Sequence, residues 1–335
     1  MTAPRGNTPH VSVLRDEVLA ALSPTDTDII VDGTFGAGGY SRAILDASNC
    51  RVYGIDRDPR AIAIARDMEV EFEGRLKVLE GCYSDMEALL AVEGVTAVNG
   101  VALDIGVSSM QIDEAERGFS FQKDGPLDMR MGQTGETAAD VVNSRTEEEL
   151  ADIFWRYGDE KKSRAIARAI VEDRVETPYK RTLELAGLVE RVKGRKKKAG
   201  KQVHPATYVF QALRIYVNDE LGELERGLIA AERLLAEGGR LCVVSFHSLE
   251  DRMVKNFMRE RAGETSGTSR HLPAVSQNGP SPSFTLPKRK AIKPSSHEES
   301  ANPRARSARL RVAVRTAAPA WGVSASGGKG EVRGE

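Results

Sequence analysis

The sequence predicts an open α/β fold: a mostly parallel, Rossmann-like sheet interrupted by one helical insertion. Three observations lead there. Residues 31–65, VDGTFGAGGYSRAILDASNCRVYGIDRDPRAIAIA, read as strand, glycine-rich turn, helix, strand and the start of a further helix. Two later apolar segments, VNGVALD and RLCVVSF, are separated by a long run of amphipathic helical sequence. Acids stand where successive strands end, at Asp32, Asp56 and Asp104. Strands alternating with helices in this way build a parallel sheet covered on both faces.

In chain order, the first strand closes at Asp32 and is followed by a turn through Gly36, Gly38 and Gly39. Without β-carbons, such a turn lets a ligand approach the backbone at a helix N-terminus. Asp56 lies about 20 residues further on, where a carboxylate accepts ribose hydroxyls. The unit therefore predicts an adenosine-bearing cofactor. The dinucleotide fingerprint G-x-G-x-x-G is not met, because Gly36-Ala37-Gly38-Gly39-Tyr40-Ser41 ends in serine. Asp32 at the strand end would repel a pyrophosphate, whereas it suits the ammonium and sulfonium of a methionine moiety. Together the three acids and the turn favour S-adenosylmethionine. Helix capping is the other reading of any one of these acids.

Asp58 and Pro59 open the next helix as N-cap and first helical residue. A short strand is expected near Leu76–Leu79, then a helix capped by Ser84 with Glu87, then VNGVALD ending at Asp104. Helices follow from Thr146 (capping box with Glu149) to near Gly158, over Lys161–Val175 and over Leu183–Val192. Pro205 is expected to open a helix carrying TYVFQALRIYV, and the next helix to stop at a glycine cap, Gly238-Gly239. The sheet then resumes with RLCVVSF and ends with ARLRVAV. The expected division is a discontinuous sheet domain, 1–110 and 205–316, with an inserted helical substrate-recognition domain, 111–204. Residues 263–300, rich in Ser, Pro and Gly, are expected as a mobile loop, and 317–335 as a disordered tail.

Composition points to a cytoplasmic globular protein. With 335 residues, 40% hydrophobic and 29% charged, the chain can bury a large core. No apolar run is long enough to span a bilayer, and MTAPRGNTPH lacks a signal-peptide apolar region. Cys50, Cys82 and Cys242 are scattered and, with five histidines, form no metal-ligand spacing, so reduced thiols and no metal are expected. Net charge is −1, but its distribution is uneven. Lys193, Arg195, Lys196, Lys197, Lys198 and Lys201 form one acid-free run. Lys288, Arg289, Lys290 and Lys293, then Arg304, Arg306, Arg309, Arg311 and Arg315, form a second basic zone. Such clusters neutralise nucleic-acid phosphates or merely solvate a loop.

At this point the blocks HVSVLRDEVLAAL, VDGTFGAGGYS, GIDRDPRAIA, LDIGVSSMQIDEAERGFSFQKDGPLDMRM, HPATYVFQALRIYVNDEL and GGRLCVVSFHSLEDRMVKNFM carry a resemblance. The chain resembles the small-subunit ribosomal RNA methyltransferase H family, bacterial enzymes that methylate the N(4) amino group of a decoding-centre cytidine in 16S rRNA. The resemblance extends to about Thr316. It implies a class I S-adenosylmethionine-dependent methyltransferase fold, with Gly38, Gly39 and Tyr40 against the methionine portion of the cofactor. Asp56 would hold the ribose, Tyr83 would lie beside the adenine, and Asp104 and Gln111 would complete the cofactor site. The family usually has histidine where this chain has Tyr40, so contact at that position is expected through backbone atoms. Implied partners are 16S rRNA or the small ribosomal subunit, with no membrane and a homodimer left open. A related amino-methyltransferase acting on another nucleic acid or on a protein is the alternative.

Direct transfer to a cytosine amine needs acceptors for its hydrogens, because the nitrogen lone pair is delocalised into the ring. Asp104 is placed for that, or else serves the cofactor alone. His247, in SFHSLEDR, stands at a strand end, where it would contact the base, relay a proton, or be structural. Phe119 and Phe121 would stack on an unstacked base and Arg130 would meet a phosphate, unless the loop packs its own aromatics. Lys196, Lys197 and Lys198 would track the RNA backbone.

Overall fold

Each predicted strand enters a single sheet. The computed structural model describes residues 12–132, 134–194, 204–264 and 280–321. The first half runs α1 (Arg15–Leu22), β1 (Ile29–Asp32), α2 (Gly39–Ala47), β2 (Arg51–Asp56), α3 (Pro59–Glu71), β3 (Leu76–Glu80), α4 (Met86–Val92) and β4 (Val98–Asp104). Helices α5 (Ser109–Asp113), α6 (Ala138–Ser144), α7 (Glu147–Gly158), α8 (Ser163–Asp173), α9 (Thr182–Lys193), α10 (Thr207–Val217) and α11 (Glu220–Leu234) follow. The chain returns through β5 (Leu235–Ser245), α12 (Ser248–Arg261), β6 (Phe284–Thr285), α13 (Ser296–Ala301) and β7 (Arg309–Arg315).

The strand order is β3-β2-β1-β4-β5-β7-β6. Strands β1 to β5 pair in parallel, and β7 runs antiparallel to both β5 and β6. Alternate residues of each central strand serve opposite faces, as the two-residue period demands. Val31, Val101, Leu103, Leu241 and Val243 face the side covered by α4, α11 and α12, while Ile30, Ala102, Cys242 and Val244 face α1, α2 and α3. A sheet buried on both faces needs apolar residues at nearly every position, which is why VNGVALD and RLCVVSF lack polar alternation.

The helical segment has a core of its own, built from residues between Phe119 and Leu213. It includes Val209, Phe210, Ala212 and Leu213, so α10 packs with the inserted helices rather than returning with the sheet at 205. Thr146 and Glu149 form the expected capping box of α7, and Asp58 caps α3 with Pro59 in its first turn.

Four local expectations are corrected. Ser84 does not cap a helix: Tyr83–Asp85 forms a 3-10 turn, and α4 starts at Met86 without a side-chain cap. Gly238-Gly239 does not end α11, which stops at Leu234. The glycines lie in an irregularity of β5, between the pairs Val98↔Leu235 and Gly100↔Arg240, with Gly238 at φ 79°. The 263–300 loop is not mobile throughout, because Phe284 is fully buried in β6 and α13 follows; residues 265–279 lie outside the described residues.

The tail begins later than 317. Arg315 donates to Ala318 O at 2.7 Å, and the Trp321 indole donates to Ser281 O at 2.8 Å with Arg261 over its ring. The anchor is Glu232, wholly buried, which accepts from Arg261, Ser283 and the Trp321 backbone. Residues 322–335 lie outside the described residues. No described helix is long and apolar enough to cross a membrane.

Candidate active site

The carboxyl ends of β1, β2, β4 and β5 converge, and three of the four carry the predicted acids. After β1 the chain turns through Gly36 (φ 54°) and Gly38 (φ 75°), conformations that favour glycine. Gly38 has a second reason to be glycine: a β-carbon there would strike Phe35 and Met68. A β-carbon at Gly39 would overlap Ser12 Oγ, so the segment before α1 crosses the start of α2. The Tyr40 side chain turns away from the turn, buried, with its hydroxyl donating to Val13 O. Any contact from Tyr40 to a ligand at the turn is therefore through its backbone, and its ring braces the N-terminal segment.

Asp56 is locked by two backbone donors, Gly36 N at 2.7 Å on one oxygen and Asp58 N at 2.8 Å on the other. It keeps partial exposure, and each oxygen retains a lone pair for a hydroxyl. Burial raises its pKa, against the pull of those two bonds. Asp32 differs from expectation. It is wholly buried, with one oxygen bound to Ser41 N and Oγ (3.2 and 2.7 Å) and the other near Thr34 N at 3.4 Å. Asp32 thus braces the turn from beneath instead of facing a methionine group, and burial lifts its pKa to about 6.

Gln111 is buried and its amide is spent within the protein. It donates to Asp58 at 3.0 Å and accepts from Ser108 N at 3.0 Å. Tyr83 is also buried, on the turn after β3, and its ring lies where a β-carbon on Gly227 of α11 would be. Burial, with Glu223, Glu250 and Glu220 near it, raises its pKa well above 10.

Asp104 behaves differently from the other acids. Its backbone N–H donates to Thr34 Oγ1 at 2.7 Å, which ties β4 to the turn after β1. Its Oδ1 is enclosed and has no hydrogen-bond partner, although the residue keeps partial exposure. Burial first, then the charges of Asp32 and Glu250, push its pKa well above the ordinary carboxylate range. An enclosed, unpaired acceptor is costly and calls for a physical reason.

His247 caps α12, its Nδ1 accepting from Glu250 N at 3.4 Å. Its Nε2 is 2.9 Å from Glu250 Oε1 but lacks hydrogen-bond geometry. Glu220 completes a trio whose ligand atoms lie within 4.8 Å of one another. Arg214 already grips Glu220 at 2.8 and 2.9 Å, so Glu220 is engaged within the protein.

The loop after β4 is docked onto this edge by arginines. Arg117 pairs with Asp58 at 2.8 Å and donates to Arg130 O and Met131 O, while Arg57 pairs with Glu223 at 2.9 Å. The aromatic residues of the loop point inward, which corrects the stacking expectation. Phe119 is buried in the helical core, and Phe121 stacks on His204 at 4.4 Å with its edge to Phe210. Arg130 is held by Asp128 at 2.8 and 2.7 Å. In the second basic zone, Arg311 pairs with Asp251 and Arg315 is buried, so both are structural, whereas Lys288, Lys290 and Lys293 are exposed. Lys196, Lys197 and Lys198 lie outside the described residues.

The model of the MraW methylase family matches residues 7–316. The chain belongs to that family. Curated relatives named ribosomal RNA small subunit methyltransferase H are similar over most of their length. The protein from Rhodospirillum rubrum is 59% identical over 96% of this chain and 98% of its own. That from Paramagnetospirillum magneticum is 60% identical over 93% and 98%. A solved rRNA methylase from Streptococcus thermophilus is far more distant, at 10% identity and TM-score 0.36 over 90% of this chain and 93% of that one. Family membership and the sheet order fit a class I methyltransferase fold.

Sequence reasoning missed four members of the site: Glu250, Glu220, Arg214 and Arg117. Glu250 was accessible in principle, because it stands three residues after His247 as the third residue of a capping box. The Arg117–Asp58 pair spans 59 residues, and no local pattern announces it.

Proposed function

We propose that this methylase transfers a methyl group from S-adenosylmethionine to the N(4) amino group of a decoding-centre cytidine in 16S rRNA. The observation that carries the reading is Asp104, a mostly buried strand-end acid with an enclosed unpaired oxygen, standing beside the glycine turn. The names of the relatives support the substrate class.

The residues suit the cofactor. Backbone groups of Gly38, Gly39 and Tyr40 would hold its methionine portion, and Asp56, fixed by Gly36 and Asp58, would accept the ribose hydroxyls. Tyr83 would border the adenine from within the core, and Gln111 would act through Asp58. When bound, the sulfonium supplies an electrophilic methyl group beside Asp104. Asp104 would accept one amino hydrogen of the cytosine, which localises the nitrogen lone pair and aims it at the methyl carbon. The helical region, including the Lys196–Lys198 run, would carry the RNA over the sheet edge.

The test is a transfer assay with tritiated S-adenosylmethionine on small ribosomal subunits, free 16S rRNA, DNA and protein. The proposal expects label in 16S rRNA, in the free form or in the subunit. Label confined to DNA or protein would overturn the substrate, and no transfer to any polymer would overturn the activity.

A further inference from the structure

Positive φ angles account for Gly36 and Gly38, but Gly39 is not among the residues with positive φ. What a side chain there would meet is one residue: the three atoms nearest to a β-carbon on Gly39 all belong to Ser12. The first residue of α2 is therefore bare on the side where the N-terminal segment crosses it. Ser12 keeps partial exposure, and among the described residues its Oγ has no hydrogen-bond partner. Its neighbours are fixed from two sides. The Tyr40 hydroxyl donates to Val13 O, and Leu14 N donates to Glu298 Oε1 of α13 at 2.8 Å. Leu14 is fully buried at φ 53°, a conformation rare for residues other than glycine. Such a backbone persists only where its surroundings over-determine it.

The helix under Ser12 has donors to spare. The first N–H groups of a helix find no partner inside it. At the start of α2, Gly38 N donates to Phe35 O and Ser41 N to Asp32, which leaves the N–H groups of Gly39 and Tyr40. Two backbone donors and one hydroxyl thus meet where segment 12–14 passes over the glycine turn.

We propose that Ser12 is a cofactor-binding residue, whose hydroxyl donates to the carboxylate of the methionine portion of S-adenosylmethionine, and that Glu298 positions it through Leu14. This rests on the cofactor reading above. The carboxylate is the group that fits, because a backbone N–H can only donate and a carboxylate can only accept. A helix N-terminus also favours negative charge over the cofactor's ammonium. Segment 12–14 then acts as a strap: the Tyr40 ring and Glu298 hold Val13 and Leu14, and through them the Ser12 hydroxyl stays over Gly39. The same arrangement gives the Tyr40 side chain its role, since the ring that turns away from the ligand holds the strap that covers it.

The test is calorimetry on Ser12→Ala in the full chain with two probes, S-adenosylmethionine and methylthioadenosine, which keeps the adenosine and the sulfur but has no carboxylate. The expected result is S-adenosylmethionine weakened at least about tenfold, as for a lost hydrogen bond to a charged group, with methylthioadenosine within about twofold of wild type. Glu298→Ala, which releases Leu14 N, should weaken S-adenosylmethionine by a smaller factor and again spare methylthioadenosine. It provides the test if Ser12→Ala does not fold, because an unchanged S-adenosylmethionine affinity in folded Glu298→Ala overturns the strap. A folded Ser12→Ala variant that binds S-adenosylmethionine as tightly as wild type overturns the proposal. So does equal weakening of both probes, which would make Ser12 a support of the turn instead of a ligand. A wild type that binds neither probe would defeat the cofactor reading on which the proposal rests.

Discussion

At the scale of single residues, the proposed site separates binding from chemistry. Asp56→Ala should weaken S-adenosylmethionine by about 1.5–3 kcal/mol, the range for a charge-assisted hydrogen bond. Because Asp56 also holds the Gly36 and Asp58 N–H groups, Asp56→Asn, which keeps one acceptor, should lose less. Calorimetry on both folded variants would remove Asp56 from the site if neither changes affinity. Asp104→Asn should cut turnover far more than cofactor affinity. Equal loss of both would assign Asp104 to the cofactor alone.

Asp32 gives a pH signature. Its folded pKa of about 6 lies above the usual 3.8, so the folded state binds the proton more tightly than the unfolded chain. The stabilisation from this group is complete below about pH 4 and is lost as pH rises through 6. Relative to Asp32→Asn, the wild type should gain up to about 3 kcal/mol on going from pH 7 to pH 4. A difference between the two proteins that does not vary with pH, in urea unfolding at each pH, would show that Asp32 is not held protonated.

At the scale of elements, the loop after β4 depends on a few long-range ties. Arg117→Ala removes a mostly buried partner of Asp58 and frees two carbonyls, so a loss of about 3 kcal/mol is expected. Faster hydrogen exchange should appear over 117–131. Unchanged exchange there would mean that packing of Phe119 and Leu127 alone docks the loop. The same elements mark what could be read in advance. Strands β1, β2, β4 and β5, the glycine turn, and the caps at Asp58 and Thr146 follow from local periodicity and composition. The direction of Phe119 and Phe121, the pairing of α10 with the helical core, and the anchoring of 280–321 by Glu232 depend on contacts remote in sequence. The acids at strand ends were legible as a set. Their roles were not, because burial and partners make Asp32 a brace, Asp56 a fixed acceptor and Asp104 an unpaired one.

At the scale of the whole molecule, the helical region emerges from the carboxyl edge of the sheet, right after Asp104, and is pinned back to that edge by Arg117 and Arg57. A substrate reaching Asp104 must therefore pass beside it. Neutralising Lys196, Lys197 and Lys198 should weaken binding to the ribosomal substrate and flatten its salt dependence by up to about 3 units of slope, with cofactor affinity untouched. An unaltered slope would make that run a solvated loop. The most direct measurement of the central claim is nucleoside mass spectrometry of 16S rRNA from cells lacking this protein. The account predicts loss of one N(4)-methyl group from a decoding-centre cytidine, restored by the wild-type chain and not by Asp104→Asn. An unchanged cytidine with a methyl missing elsewhere, or no missing methyl at all, would contradict it.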